Sequence, residues 1–196
     1  IVSVSPRAYP SVSEELLGDV PPEVTVLRLP CVDAARHLAI KGRYPSFLAR
    51  PDRWSSWLLT AVPAGVIEVI RWKPDVIWAT YPIPSALVAA RLVAKITGVP
   101  LVTDLRDSMT EDGYPPDPRY RATLRRIERK VVRASARVVF TSQGALDMYS
   151  QRYADLPESR WVRIPNGFDE SAFRVAESLS ARSSSGRRRI QLLHSG

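Results

Sequence analysis

From Asp75 onward, short apolar runs alternate with amphipathic stretches at helical spacing, and no other feature of the sequence narrows the possible folds as far. Asp75–Thr80, with its β-branched and aromatic residues, reads as a strand, as do Leu101–Asp104, Arg137–Phe140 and Trp161–Ile164. Helices are expected between them, over Pro84–Thr97, Asp117–Ala134 and Gln143–Tyr153. Pro84 and Gly98 stand at the helix ends that favour each of them. Strands joined through helices pair in parallel, because a parallel connection has to cross back over the sheet. Leu87, Ala90, Val93 and Ala94 line one helix, and Leu124, Ile127, Val131 and Ala134 the next; each stripe is wide enough to seal a sheet face. The expected class is α/β, a parallel sheet with helices on both faces.

Ahead of Asp75 the pattern is less regular. Ile1–Val4 and Val24–Leu29 read as strands, the second set off by Pro21-Pro22 and Pro30. Cys31–Arg53 has no period, and Gly42, Pro45 and Pro51 argue for a loop or short helical pieces. Trp54–Trp72 has helical spacing, with Pro63 expected to kink or split it. Residues 1–177 are read as one domain, 178–189 as a Ser/Arg-rich linker, and 190–196 as the first strand of a second domain. Both ends look cut, since Ile1 already sits in a strand and the run to Gly196 stops at a turn.

Of the 196 residues, 45% are hydrophobic and one is cysteine, which excludes a disordered chain and a disulfide scaffold. Cys31, His37 and His194 are too few and too scattered to build a structural zinc site. No apolar run reaches the length of a membrane span. The net charge of +8, mostly arginine, favours anionic partners: nucleic acid, phosphorylated small molecules or an acidic membrane surface. A solvated arginine-rich surface explains it as well. Gly186 and Gly196 are the closest pair among the nine glycines, so neither G-x-G-x-x-G nor a P-loop is present. Ser142, Asp169 and His194 occur in hydrolase order, but His194 falls in the strand beyond the linker.

In open α/β sheets, ligands bind beyond the carboxyl ends of the strands. The residues there are Thr80, Tyr81 and Pro82; Asp104 to Ser108; Thr141 to Gly144; and Pro165 to Asp169. Asp104-Leu105-Arg106-Asp107 is the densest polar cluster. Its carboxylates and guanidinium can orient a sugar hydroxyl or a phosphate, act as a base, or pair with one another to fix the loop. Ser142 suits either a binding edge or the N-cap of the following helix, and Asn166-Gly167 suits a turn.

Four segments follow one another in order: Lys73 to Thr80, Gly98-Val99-Pro100 through Asp104-Leu105-Arg106-Asp107, Ala136 to Ser142, and Ile164-Pro165-Asn166-Gly167-Phe168-Asp169 with Phe173 after it. Together they resemble the GT-B glycosyltransferases of the family 4 type, the Ile164–Asp169 segment most specifically, and Leu192–Gly196 looks like the family's first strand of the second domain. The resemblance implies a Rossmann-like, acceptor-side half of a two-domain enzyme, with a first strand and a Gly-rich loop expected ahead of Ile1 and the donor domain after Gly196. It implies transfer of a sugar from a nucleotide-sugar to a sugar or lipid-linked acceptor with retained configuration, in cell-surface polysaccharide or glycoconjugate biosynthesis. No cofactor, no obligatory metal and no nucleic-acid partner is expected. The implied location is cytoplasmic, at the inner face of the membrane, and the fragment alone is expected to be inactive. Asp107, Arg106 and Asp104 are the catalytic candidates. Tyr81, Ser108 and Ser142 are candidates for the acceptor side of the cleft, and Asn166, Gly167 and Gly196 for the donor side. Many family members carry His where this chain has Arg106; a guanidinium cannot act as a base, so Arg106 is expected to orient or stabilise charge. A polyanion-binding protein, or another Rossmann-type enzyme such as an oxidoreductase or epimerase, would share the alternation and the charge.

Overall fold

The computed structural model describes residues 1–9, 20–39, 41, 43–45, 49–168, 170 and 173–174. The chain divides into two units, Ile1–Pro165 and Asn166–Gly196. In the first, β1 (Val2–Val4) pairs in parallel with β2 (Leu27–Leu29). A second parallel sheet runs in the order β3 (Ile77–Thr80), β4 (Leu101–Leu105), β5 (Arg137–Phe140) and β6 (Trp161–Arg163). The helices are α1 (Ala34–His37), α2 (Leu58–Trp72), α3 (Pro84–Thr97), α4 (Pro118–Ala134) and α5 (Gln143–Arg152). The fold is α/β and Rossmann-like, parallel strands clothed by helices, as the alternation demands. In the second unit, the Phe168 and Phe173 rings meet edge to face at 5.5 Å. The expected linker over 178–189, the strand over 190–196, Asp169 and Gly196 lie outside the described residues.

Strand alternation sorts the side chains. Ile77 and Ala79, Leu101 and Leu105, Val138 and Phe140, and Trp161 point to one side, where they pack with Leu87, Leu124, Val131 and Tyr149 of α3, α4 and α5. Asp104 and Val139 point the other way and are buried as well, so the centre of the sheet is shielded on both faces. A smaller core joins Trp57, Ala61 and Ala89 with Val2, Val4 and Leu29, and it ties α2 and α3 to the first sheet.

The helix ends follow local chemistry. Gly98 adopts φ +76°, which places its N–H on the Ala94 carbonyl at 2.9 Å. Asp117 accepts from Arg119 N at 2.8 Å and Ser142 from Ala145 N at 3.2 Å, each as an N-cap.

Some expectations need correction. α2 begins at Leu58, after a single 3-10 turn over Ser55–Trp57, and Pro63 does not split it: the helix runs on to Trp72. Pro63 leaves the carbonyl of Leu59 without its intrahelical donor, and Leu59, 80% exposed, lies on the solvent side of the helix. Ala134 is exposed at the last position of α4, and Glu128 and Val132 fill the buried stripe instead. Gly167 does not use the left-handed region, so Asn166-Gly167 is not the glycine turn expected there.

Candidate functional site

The parallel register brings Thr80, Asp104 and Val139 level, so the loops leaving β3, β4 and β5 emerge along one edge of the sheet. The β4 exit is the best-built part of it. Arg106 Nε lies 3.4 Å from Asp104 Oδ2, and the two side chains are 62% and 8% exposed. Asp104 is therefore held under the sheet edge while the guanidinium stands in solvent with most of its donors free. Thr141 Oγ1, leaving β5, donates to the Arg106 carbonyl at 3.1 Å and joins the two exits.

Three residues further on, the same loop is locked by a buried carboxylate. Glu128 of α4 is fully buried and accepts four hydrogen bonds. Thr110 Oγ1 and Tyr149 OH donate to its Oε2 at 2.8 and 3.0 Å, and Arg152 Nη1 and Tyr153 OH to its Oε1 at 2.8 and 2.7 Å. Tyr149 OH also accepts from Met109 N at 3.0 Å, and Arg152 Nη2 donates to the Thr110 carbonyl at 3.0 Å. The carboxylate and its donors are mutually satisfied, the condition under which a buried polar cluster rigidifies a structure. Burial first, then the Glu128 charge, pushes the Tyr149 and Tyr153 hydroxyls well above the usual phenol range, so both stay protonated donors.

Anchors at Arg106 and at Met109–Thr110 leave Asp107 and Ser108 between them. Asp107 is exposed and forms no ion pair or hydrogen bond among the described residues; Ser108 is half-buried. Asp107 lies close enough to Tyr81 to raise its hydroxyl. Burial comes first among the causes, followed by Tyr120, Tyr114 and Asp107, and the hydroxyl is pushed up to about 12. Tyr81 itself packs into the main core, and its N–H donates to the Asp104 carbonyl at 2.9 Å.

Three of the sequence-predicted catalytic residues, Asp104, Arg106 and Asp107, are thus gathered at one strand end, with Tyr81 and Ser108 beside them. Asp104 takes the self-paired role and Asp107 stays free. Ser142 is engaged as the N-cap of α5. Asn166 and Gly167 belong to the other unit.

Sequence reasoning missed two carboxylates that shape the edge. Asp52 reaches the start of α3: it accepts from Ser85 N at 2.7 Å, Ser85 Oγ at 3.1 Å and Trp54 N at 2.9 Å. The first backbone N–H of α3, that of Ser85, is therefore occupied by the protein's own carboxylate. Glu128 had a readable signal, a single acid on the apolar stripe of α4; Asp52 had none, because its partner is 33 residues away.

The geometry can hold a hydroxylated ligand. A free carboxylate, an exposed guanidinium paired only through its Nε and a half-buried hydroxyl stand on a fixed backbone at the edge of a parallel sheet. No group of His, Cys, Asp or Glu capable of holding a metal ion occurs among the described residues.

The family description "Glycosyl transferase 4-like domain" matches residues 2–167. The crystal structure of Anabaena Alr3699/HepE in complex with UDP-glucose aligns with a TM-score of 0.45 and 19% identity. The alignment covers 81% of this chain and 37% of that one, so the chain spans little more than a third of that protein's length. None of the curated proteins matches. With the match running from β1 to the Asn166-Gly167 segment, the chain belongs to the glycosyl transferase 4-like domain family.

Proposed function

We propose that this chain is the acceptor-side domain of a retaining glycosyltransferase that moves a sugar from a nucleotide-sugar to a sugar or lipid-linked hydroxyl. Family membership sets the reaction class. The observation that carries the assignment of residues is the loop fixed at Arg106 and at Met109–Thr110, with the free Asp107 carboxylate held out between the two anchors.

In the transfer, the bond from the donor's anomeric carbon to the diphosphate oxygen breaks, a bond to the acceptor oxygen forms on the same face, and the proton of the acceptor hydroxyl passes to the departing diphosphate. Asp107 accepts a hydrogen bond from that hydroxyl and steers it. Arg106, fixed by Asp104, orients the reacting sugar and offsets negative charge growing on the leaving diphosphate. Ser108 and the Tyr81 segment border the acceptor, with Ser142 behind them at the head of α5. Asn166, Gly167 and Gly196 are assigned to the donor side. Charge is balanced by fixed protein groups, so the reaction proceeds without a metal or further cofactor. The reading places the enzyme in the cytoplasm, in cell-surface polysaccharide or glycoconjugate synthesis.

The test is nucleotide release by the full protein against UDP-, GDP-, ADP- and TDP-sugars, with and without an acceptor extract. Release from one or two donors, increased by the extract, is expected. Silence from every donor in a folded protein would overturn the reading.

A further inference from the structure

Past its second anchor, the loop leaving β4 carries one aromatic ring that stands outside the core. Tyr114 is 57% exposed, and its side chain forms no hydrogen bond among the described residues. Its backbone, by contrast, is fixed on both sides. Glu111 and Tyr114 exchange two backbone hydrogen bonds, at 3.1 and 3.2 Å, which close a tight turn directly after Thr110. Gly113 fits that turn with φ +80°. On the far side, Arg121 Nη1 donates to the Pro115 carbonyl at 2.8 Å and Asp117 caps α4. The turn therefore holds Tyr114 beside Thr110 and Glu111, on the loop that presents Asp107. Tyr114 and Asp107 also converge on Tyr81, whose hydroxyl is raised by burial first, then by Tyr120, Tyr114 and Asp107.

An exposed ring on a fixed backbone loses little freedom when a flat partner settles on it. A pyranose is such a partner. The C–H groups of one face are apolar and carry partial positive charge, which suits the negative face of a phenol ring. Its rim of hydroxyls suits an ionised carboxylate, which only accepts hydrogen bonds, and Asp107 is free to take one of them. Charge narrows the choice of sugar. Residues 107–118 contain Asp107, Glu111, Asp112 and Asp117 and no base, in a chain whose net charge is +8. Glu111 and Asp112 are exposed, and neither forms an ion pair among the described residues. A ring bearing its own carboxylate or phosphate would meet these charges as a repulsive element.

We infer that Tyr114 is a specificity residue of this site: its ring stacks on the face of a pyranose that carries no acidic group, while Asp107 takes a hydroxyl of the same sugar. Naming that sugar as the acceptor rests on the transferase reading above; the binding itself does not.

The test is binding of the methyl glycosides of glucose, galactose and mannose to the full protein, each beside its uronic acid, followed by saturation-transfer and titration NMR. At least one neutral glycoside should bind, with the protons of one ring face saturated more strongly and shifted upfield by the tyrosine ring. Its uronic acid should bind about fivefold more weakly, a difference that shrinks as salt rises. Tyr114→Leu should raise the Kd of the neutral glycoside about fivefold or more, whereas Tyr114→Phe should keep it within about twofold. Trp72→Leu, which removes an exposed ring at the end of α2 that leads into β3, should leave it unchanged. Glu111→Gln with Asp112→Asn should bring the uronic acid to within about twofold of its neutral parent. Melting curves separate a lost site from an unfolded protein, and the face-selective saturation is read on the unmodified chain. No binding by any neutral glycoside, even saturation of both ring faces, an unchanged Kd in Tyr114→Leu, or a uronic acid that binds as tightly as its parent would each overturn the inference. Tyr114-dependent binding in a protein that releases no nucleotide from any donor would retire the transferase reading and keep the sugar site. Nucleotide release without such binding would do the reverse.

Discussion

Glu128 shows how much one residue can settle. Its carboxylate is the point at which α4, α5 and the β4 exit loop meet, through donors from Thr110, Tyr149, Arg152 and Tyr153. Removing one member of such a cluster leaves the others buried without partners. Glu128→Ala should therefore cost about 3–5 kcal/mol in urea unfolding, far more than a surface substitution. Protection of the Met109 amide against hydrogen exchange should fall with it, because Tyr149 OH loses its fixed position. The buried tyrosines set a pH limit. A phenol whose folded value is raised binds its proton more tightly in the native state, so its contribution is fully present below the unfolded value and is lost as pH rises. For Tyr81, raised from 10.0 to about 12, that loss begins near pH 10. Tyr149 and Tyr153 are raised in the same direction. The melting temperature should fall steadily above pH 10, and Tyr81→Phe should remove part of the slope. An unchanged melting temperature between pH 9 and pH 11 would contradict the burial of these hydroxyls.

At the scale of elements, the contact between α2 and α3 depends on the absence of a side chain. A Cβ on Gly65 would sit 2.8 Å from Val93 Cγ2, and Val93 is β-branched, with little freedom to turn away inside a helix. Gly65→Ala should destabilise the domain by about 1–3 kcal/mol in spite of alanine's better helix propensity. Adding Val93→Ala should recover part of that loss, which a double-mutant cycle would read as coupling. Elements of this kind were legible wherever their cause was local. Pro84 and Gly98 bracket α3, Asp117 and Ser142 cap α4 and α5, and the four strands of the larger sheet fall within one or two residues of their sequence-derived bounds. What escaped the sequence was set by distant partners. Asp52 meets Ser85 across 33 residues, and the continuity of α2 through Pro63 depends on where Leu59 faces solvent. Ala134 shows the limit of periodicity, which describes a stripe without telling where the helix ceases to be covered.

At the scale of the whole molecule, alternation alone led to the α/β class, and the rule that ligands bind beyond the carboxyl ends of strands led to the Asp104–Asp107 cluster. The division of labour within that cluster was not legible. The sequence could not distinguish a carboxylate that pairs with Arg106 from one left free, and the register and the Thr141 and Glu128 anchors assign Asp104 to the first role and Asp107 to the second. The net charge of +8 likewise left its location open until α4 was found to hold its only acid inside. The most direct test of this account is acceptor-dependent nucleotide release by the full protein carrying Asp107→Ala, measured beside its melting temperature. Loss of a positioned hydroxyl acceptor should lower kcat by about a hundredfold or more, with the melting temperature unchanged because Asp107 forms no ion pair among the described residues. Turnover within about twofold of the unmodified protein would contradict the role given to this loop.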